Sequence, residues 1–237
     1  EYFKRFWDFG CGIDVVFVCE KEHPDFSGIK WWCDNSDSWP GRMKRFVETH
    51  PEVKYIVYGV EDQFLMDAVN YPVLARLIKD MKHYYIKYIS LHSDKYMSAV
   101  VKNNDRKLMR SLIYIPHTHH QVFTFMCAIF DSEFFGSLMH PPEDIWHTEI
   151  NGHERVRRMG VKTYMYLDRH VIRFREVLRR GEIKPHRMKY LWAVDAGDMF
   201  PDGDWELDMH DTGYYYMRWK DKIKPQTLIK DYRKWVA

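Results

Sequence analysis

Tyr55 to Val60 (YIVYGV) is a six-residue run without a charge, with Pro51 before it and Glu61-Asp62 directly after it. A strand with one wet face alternates polar and apolar, so an unbroken apolar run reads as a strand covered on both faces. Asp14 to Cys19 (DVVFVC) is a second run of this kind. Strands buried on both sides need a layer above and a layer below the sheet.

The segments between these runs supply helices. Pro40 stands at the tolerated first position of a helix whose Met43, Phe46 and Val47 recur at helical spacing to about His50, and Pro51 stops it. Asn70 caps a helix whose apolar stripe is Val73, Leu74, Leu77, Ile78 and Met81. Asp131 or Ser132 caps a short helix to about Met139, and Glu143 to Met159 forms another, stopped by Gly160. Further strands are expected at Tyr88–Leu91, Leu112–Ile115, Val122–Phe130 and Lys162–Leu167. Glu20–Ser38 and Ser93–Lys107 read as polar connections. Alternation of this sort predicts an α/β fold with a mostly parallel central sheet flanked by helices. The expected domain is 1–190, with 191–237 as a C-terminal extension wrapping it. The chain opens at Glu1 in a helix-like stretch, so a first strand is expected upstream.

Charge narrows the partners. Lys plus Arg is 36 and Asp plus Glu is 34, a net of +2, which gives no electrostatic reason to expect nucleic acid. Cys11, Cys19, Cys33 and Cys127 share no metal-binding spacing. They read as reduced core residues of a cytoplasmic protein. No apolar run reaches the length of a transmembrane segment, and no signal peptide is expected.

Four groups could carry chemistry. Glu61 and Asp62 follow a buried strand, where open α/β sheets bind ligands and a hard cation could bridge carboxylates to phosphate. Equally, they could be a solvated turn or a helix cap. Glu143 and Asp144 mark the start of a helix, as caps or, for Glu143, as a general base for an attacking hydroxyl, while Glu149 lies nearly two turns deeper and could instead anchor the site. In Asp37-Ser38-Trp39 with Arg42, the indole could stack on a base and the guanidinium pair with phosphate; alternatively, Trp39 staples its helix to the sheet. His117, His119 and His120 suggest either a transition metal or the polar lining of a cleft. No glycine fingerprint or P-loop follows any strand.

The order Ser38-Trp39-x-x-Arg42, Tyr55-Ile56-Val57-Tyr58-Gly59-Val60-Glu61-Asp62, Val122–Phe135, Glu143-x-x-Trp146-x-x-Glu149 and Arg179-Arg180-Gly181 resembles a family of small glycosyltransferases from large algal viruses and bacterial polysaccharide clusters. The resemblance spans about residues 14 to 190. It implies a GT-A fold, a nucleotide-diphosphate sugar donor (often UDP-linked) and a glycan or glycoprotein acceptor. It also implies Mn²⁺ or Mg²⁺ on Asp62 and Glu61. Gln63 stands where the last carboxylate of such an acidic motif often falls. By position, Asp37, Ser38, Trp39, Arg42 and Glu61 lie on the donor side. Glu143 matches the base of an inverting transfer, with Glu149 second and Asp144 its neighbour. The competing readings are a retaining enzyme on the same fold, a non-catalytic nucleotide-sugar or glycan-binding module of a larger polypeptide, and a histidine-cluster metalloenzyme.

Overall fold

The computed structural model describes residues 2–19, 28–36, 38–60, 63–91, 107–109, 111–167, 171–176, 178–179, 182–183, 205–209 and 215–219. Glu61, Asp62 and Asp37 lie outside them. By its contacts the chain divides into two compact units.

The larger unit comprises Phe9–Val60 and Asn70–Val171. Its first layer is a parallel pair, β1 (Val15–Cys19) and β2 (Ile29–Cys33), joined in register from Val15↔Ile29 to Cys19↔Cys33. β2 falls inside the stretch that reads as a polar connection, because Lys30 and Cys33 face solvent and acidic residues flank the run. The central sheet has six strands in the order β3 (Tyr55–Tyr58), β8 (Ala128–Asp131), β5 (Tyr88–Ser90), β9 (Thr163–Tyr166), β7 (Leu112–Ile115) and β6 (Lys107–Met109). The fold is α/β as expected, with helices flanking the sheet.

The sheet is mixed, which corrects the expectation of a mostly parallel one. Only β5 and β9 pair parallel; β3–β8, β5–β8, β7–β9 and β6–β7 are antiparallel. β3, β5 and β9 do run in one direction. Antiparallel strands are interleaved among them, and periodicity carries no information about which strands become neighbours.

Among the described residues, four helices belong to this unit: α2 (Trp39–Thr49), α3 (Tyr71–Tyr84), α4 (Ser132–Leu138) and α5 (Ile145–Met159). Their ends follow sequence chemistry. Ser38, Asn70, Asp131 and Asp144 each cap a helix by accepting a backbone N–H three residues on. Gly160 ends α5 in the left-handed region at φ 65°. One continuous core joins Met43, Tyr88, Phe123, Phe125, Phe130, Phe134, Phe135, Leu138, Val156 and Met165. It fixes α2, α4 and α5 against a single face of the sheet. Alternation turns Tyr166 away from Met165, and there Arg76 of α3 donates to the Tyr166 hydroxyl at 3.2 Å.

Residues 116–127 connect β7 to β8. Val122–Cys127 lies outside β8, although its apolar content predicts strand. The segment instead runs antiparallel to α5, whose side chains serve its backbone. Arg157 donates to the carbonyls of His117 at 2.7 Å and His119 at 2.8 Å. The ring of His153 lies 5.1 Å from that of Phe123. Phe125 donates its N–H to Glu149 at 3.2 Å. Burial without a ladder partner is tolerable because these groups and the Tyr88 hydroxyl take up the backbone polar atoms.

Close approach at this seam requires a glycine. A Cβ on Gly152 would meet Phe123 Cζ at 2.6 Å, and Phe123 is only 1% exposed, so its ring has nowhere to go. Gly152→Val is expected to destabilise the larger unit by about 2–3 kcal/mol through overpacking. Chemical denaturation of the variant beside wild type checks it, with an unchanged midpoint as the contrary result.

The smaller unit comprises Glu1–Asp8, Glu61–Val69 and Ile172–Ala237. It contains α1 (Tyr2–Phe6) and the antiparallel pair β4 (Gln63–Leu65) and β10 (Phe174–Glu176). A four-stranded antiparallel sheet follows, in the order β11 (Leu178–Arg179), β12 (Glu182–Ile183), β14 (Tyr215–Trp219) and β13 (Trp205–Met209). Among the described residues, no helix of the chain is long and apolar enough to cross a membrane.

Candidate functional site

β3 ends at Tyr58 and β5 at Ser90; both residues pair with Ala128, the first residue of β8. That pairing defines the carboxyl edge of the sheet. Trp39, the first residue of α2, stands at this edge, with its ring centroid 6.2 Å from Tyr58 and 5.1 Å from Phe125. Both contacts are edge-on and fasten α2 to the sheet, which is the stapling role the sequence left open. Ser38 caps α2 through Gly41 N at 3.2 Å. Arg42 donates to Ser36 O at 2.9 Å, and Asp34 accepts from the Ser36 hydroxyl and pairs with Arg45 at 3.1 Å. The turn entering α2 is therefore tied down from both sides.

The three acidic candidates of the α5 segment, Glu143, Asp144 and Glu149, have three different surroundings. Asp144 is the N-cap, accepting from His147 N at 2.7 Å, and this bond with the His147 side chain holds its carboxyl below the usual range. Glu143 precedes the helix and is gripped by Arg155. Nη1 donates to Oε1 at 3.0 Å and Nη2 to Oε2 at 2.8 Å, while Asn151 adds a bond to Oε1 at 2.8 Å. The side chains of Glu143 and Arg155 are only 13% and 23% exposed. Hydrogen bonding by Arg155 brings the Glu143 carboxyl down to about 2, against the opposing effect of burial.

Glu149 is the opposite case. Burial pushes its carboxyl up, and the bonds from Phe125 N and the Thr124 side chain offset this only in part. No cation pairs with it among the described residues. Its Phe125 contact puts it on the seam that carries the Trp39 ring, at the carboxyl edge of the sheet. Trp146, one turn earlier on α5, is 73% exposed, and Ile150 beside it is 65% exposed.

The histidines go to separate partners. His117 Nε2 donates to Val161 O at 2.8 Å, and His119 Nδ1 lies 2.7 Å from Gln121 O. The His119 and His120 rings are 4.4 Å apart. Among the described residues, no group of three or more His, Cys, Asp or Glu side chains is disposed to hold a metal ion. Sequence inspection misses His153, which burial, then the charge of Arg157, brings down to about 4. It also misses Arg155. The recurrence of Glu149, His153 and Arg157 at every fourth position is the signal that could have revealed the α5 face they share.

His153 makes the larger unit acid-sensitive. Its folded value of about 4 lies below the ordinary 6.5, so the unfolded chain binds the extra proton. Stability present above pH 6.5 is expected to fall progressively as pH drops toward 4. His153→Gln should flatten that slope in a melting-temperature profile; an unchanged slope contradicts the assignment.

No family model, curated protein or solved structure matches the chain.

Proposed function

We propose that the chain is a GT-A-type glycosyltransferase that moves a sugar from a nucleotide-diphosphate donor, UDP-linked in our reading, to a hydroxyl of a glycan or glycoprotein with inversion. The observation that carries the reading is Glu149: a carboxylate raised by burial, at the sheet edge where α/β folds bind ligands.

Inverting transfer needs one base. The acceptor hydroxyl gives its proton to that base while its oxygen attacks the anomeric carbon, and the bond to the diphosphate breaks. A base must not already be saturated with donors. Glu143 is engaged on both oxygens and held near 2, so the base role falls to Glu149 rather than to the residue favoured by position. The exposed ring of Trp146 offers a flat apolar surface to the C–H face of an acceptor sugar. The amino end of α2 lies at the same edge and suits an anionic diphosphate.

Glu61 and Asp62 follow β3 in sequence and are proposed to hold Mn²⁺ or Mg²⁺, since carboxylates are the oxygen donors such cations prefer. When bound, the cation neutralises charge on the departing diphosphate. A thermal-shift screen of nucleoside diphosphates and their sugars with Mn²⁺ tests the donor class, because a ligand of the folded state raises the melting temperature. A metal-dependent rise with at least one of them is expected. No shift with any of them would point to a different activity.

A further inference from the structure

Cys19 and Cys33 are the last residues of β1 and β2 and face each other in register. Their sulfurs are 3.0 Å apart, and neither is in a disulfide. Their surroundings correct the reading of all four cysteines as core residues. Cys127 is buried and its thiol is pushed up to about 12, whereas Cys19 is half-buried and Cys33 is exposed. In a parallel pair, residues in register project to the same face and neighbouring strands lie about 4.8 Å apart. That separation falls within the span of roughly 4.4–6.8 Å that a disulfide bridges between Cα atoms.

We propose that Cys19 and Cys33 form a reversible dithiol–disulfide site that exchanges with small-molecule disulfides of the glutathione type. The chemistry balances without another oxidant. The exposed Cys33 thiolate attacks the small disulfide, forming a mixed disulfide and releasing one thiol. Cys19 Sγ then attacks Cys33 Sγ, forming the internal bond and releasing the second thiol. Two protein thiols are oxidised and one small disulfide is reduced to two thiols. The second step is favoured because the attacking sulfur is already at contact distance, so resolution outpaces accumulation of the mixed species.

The bond would close the carboxyl ends of β1 and β2 at the root of the turn that enters α2. Asp34, next after Cys33, donates its N–H to Cys19 O at 3.1 Å and carries the Ser36 and Arg45 contacts. The two strand ends are therefore already joined in the reduced state, and oxidation requires little rearrangement. The site does not depend on glycosyl transfer.

The test is to incubate the full chain with glutathione disulfide, trap thiols with acid and an alkylating reagent, and map peptides without reduction. The expected result is a cross-linked Cys19–Cys33 peptide lacking two hydrogens and restored by dithiothreitol. Free thiols in the chain should fall from four to two when Cys11 and Cys127 are counted by alkylation. Cys19→Ser should convert the product into a persistent glutathione adduct on Cys33. A stable adduct on Cys33 in wild type, or alkylation of both cysteines after exposure that oxidises a control dithiol peptide, overturns the proposal.

Discussion

Glu149→Gln is expected to lower kcat for sugar transfer by about 10²- to 10⁴-fold, the usual contribution of a positioned general base. The substitution is conservative where it needs to be. The amide oxygen still accepts from Phe125 N, now 3.2 Å from Oε2, so the 116–127 segment stays seated against α5. Basicity is lost while shape is retained. The proposed donor-side residues do not include Glu149, so donor affinity should stay near wild type while kcat falls, which separates a lost base from a lost binding group. The pH profile adds an independent readout. Burial raises the Glu149 carboxyl, so in wild type the acid limb of kcat/KM should lie above that of an ordinary glutamate. An unchanged kcat in a folded Glu149→Gln protein would mean that the carboxylate serves the Phe125 backbone alone.

Glu143→Gln should behave in the reverse manner. The change is expected to cost about 2–3 kcal/mol of stability, because Arg155 then keeps a partly buried charge without its counter-ion. Arg155 also donates to Thr148 O at 3.0 Å, so the neutral variant strains the first turn of α5 as well as the ion pair. At temperatures well below unfolding, kcat should stay within a few-fold of wild type. The pH dependence has a definite sign. The folded carboxyl sits at about 2 against an ordinary 4.5, so its stabilisation is complete above pH 4.5 and lost as pH falls through about 2. Urea midpoints of wild type and variant at pH 7 and pH 3 check this: the gap should be wide at pH 7 and narrower at pH 3. A wild-type midpoint in the variant at pH 7, with kcat lost, would return the base role to Glu143.

Much of the local structure was legible because it is set by local chemistry. Pro40, Asn70, Asp131 and Gly160 mark helix ends where caps and left-handed stops demand them. The strands at Tyr55, Leu112 and Thr163 follow from apolar runs. What was illegible depends on distant partners. The direction of β8 between β3 and β5 is a property of pairing. Val122–Cys127 has strand-like composition because it is buried, yet its backbone is served by α5 and Tyr88.

The candidate site shows the same division. Glu143, Asp144 and Glu149 all carry carboxylates, and their roles separate only through Arg155, His147 N and the buried Phe125 seam. Trp39 staples α2 through Tyr58 and Phe125, neighbours that spacing does not name, and its base-stacking role stays with the proposal. Asp37, Glu61 and Asp62 lie outside the described residues, and their donor-side role stays with the proposal.

The most direct test of the transferase reading is donor turnover. The full chain is incubated with a panel of nucleotide-diphosphate sugars, Mn²⁺ and mixed glycan acceptors, and release of nucleoside diphosphate is followed. At least one donor should be consumed by wild type, with consumption abolished by removing the cation and reduced by about 10²-fold or more in Glu149→Gln. Absence of turnover with every donor, or turnover indifferent to Glu149, would contradict it.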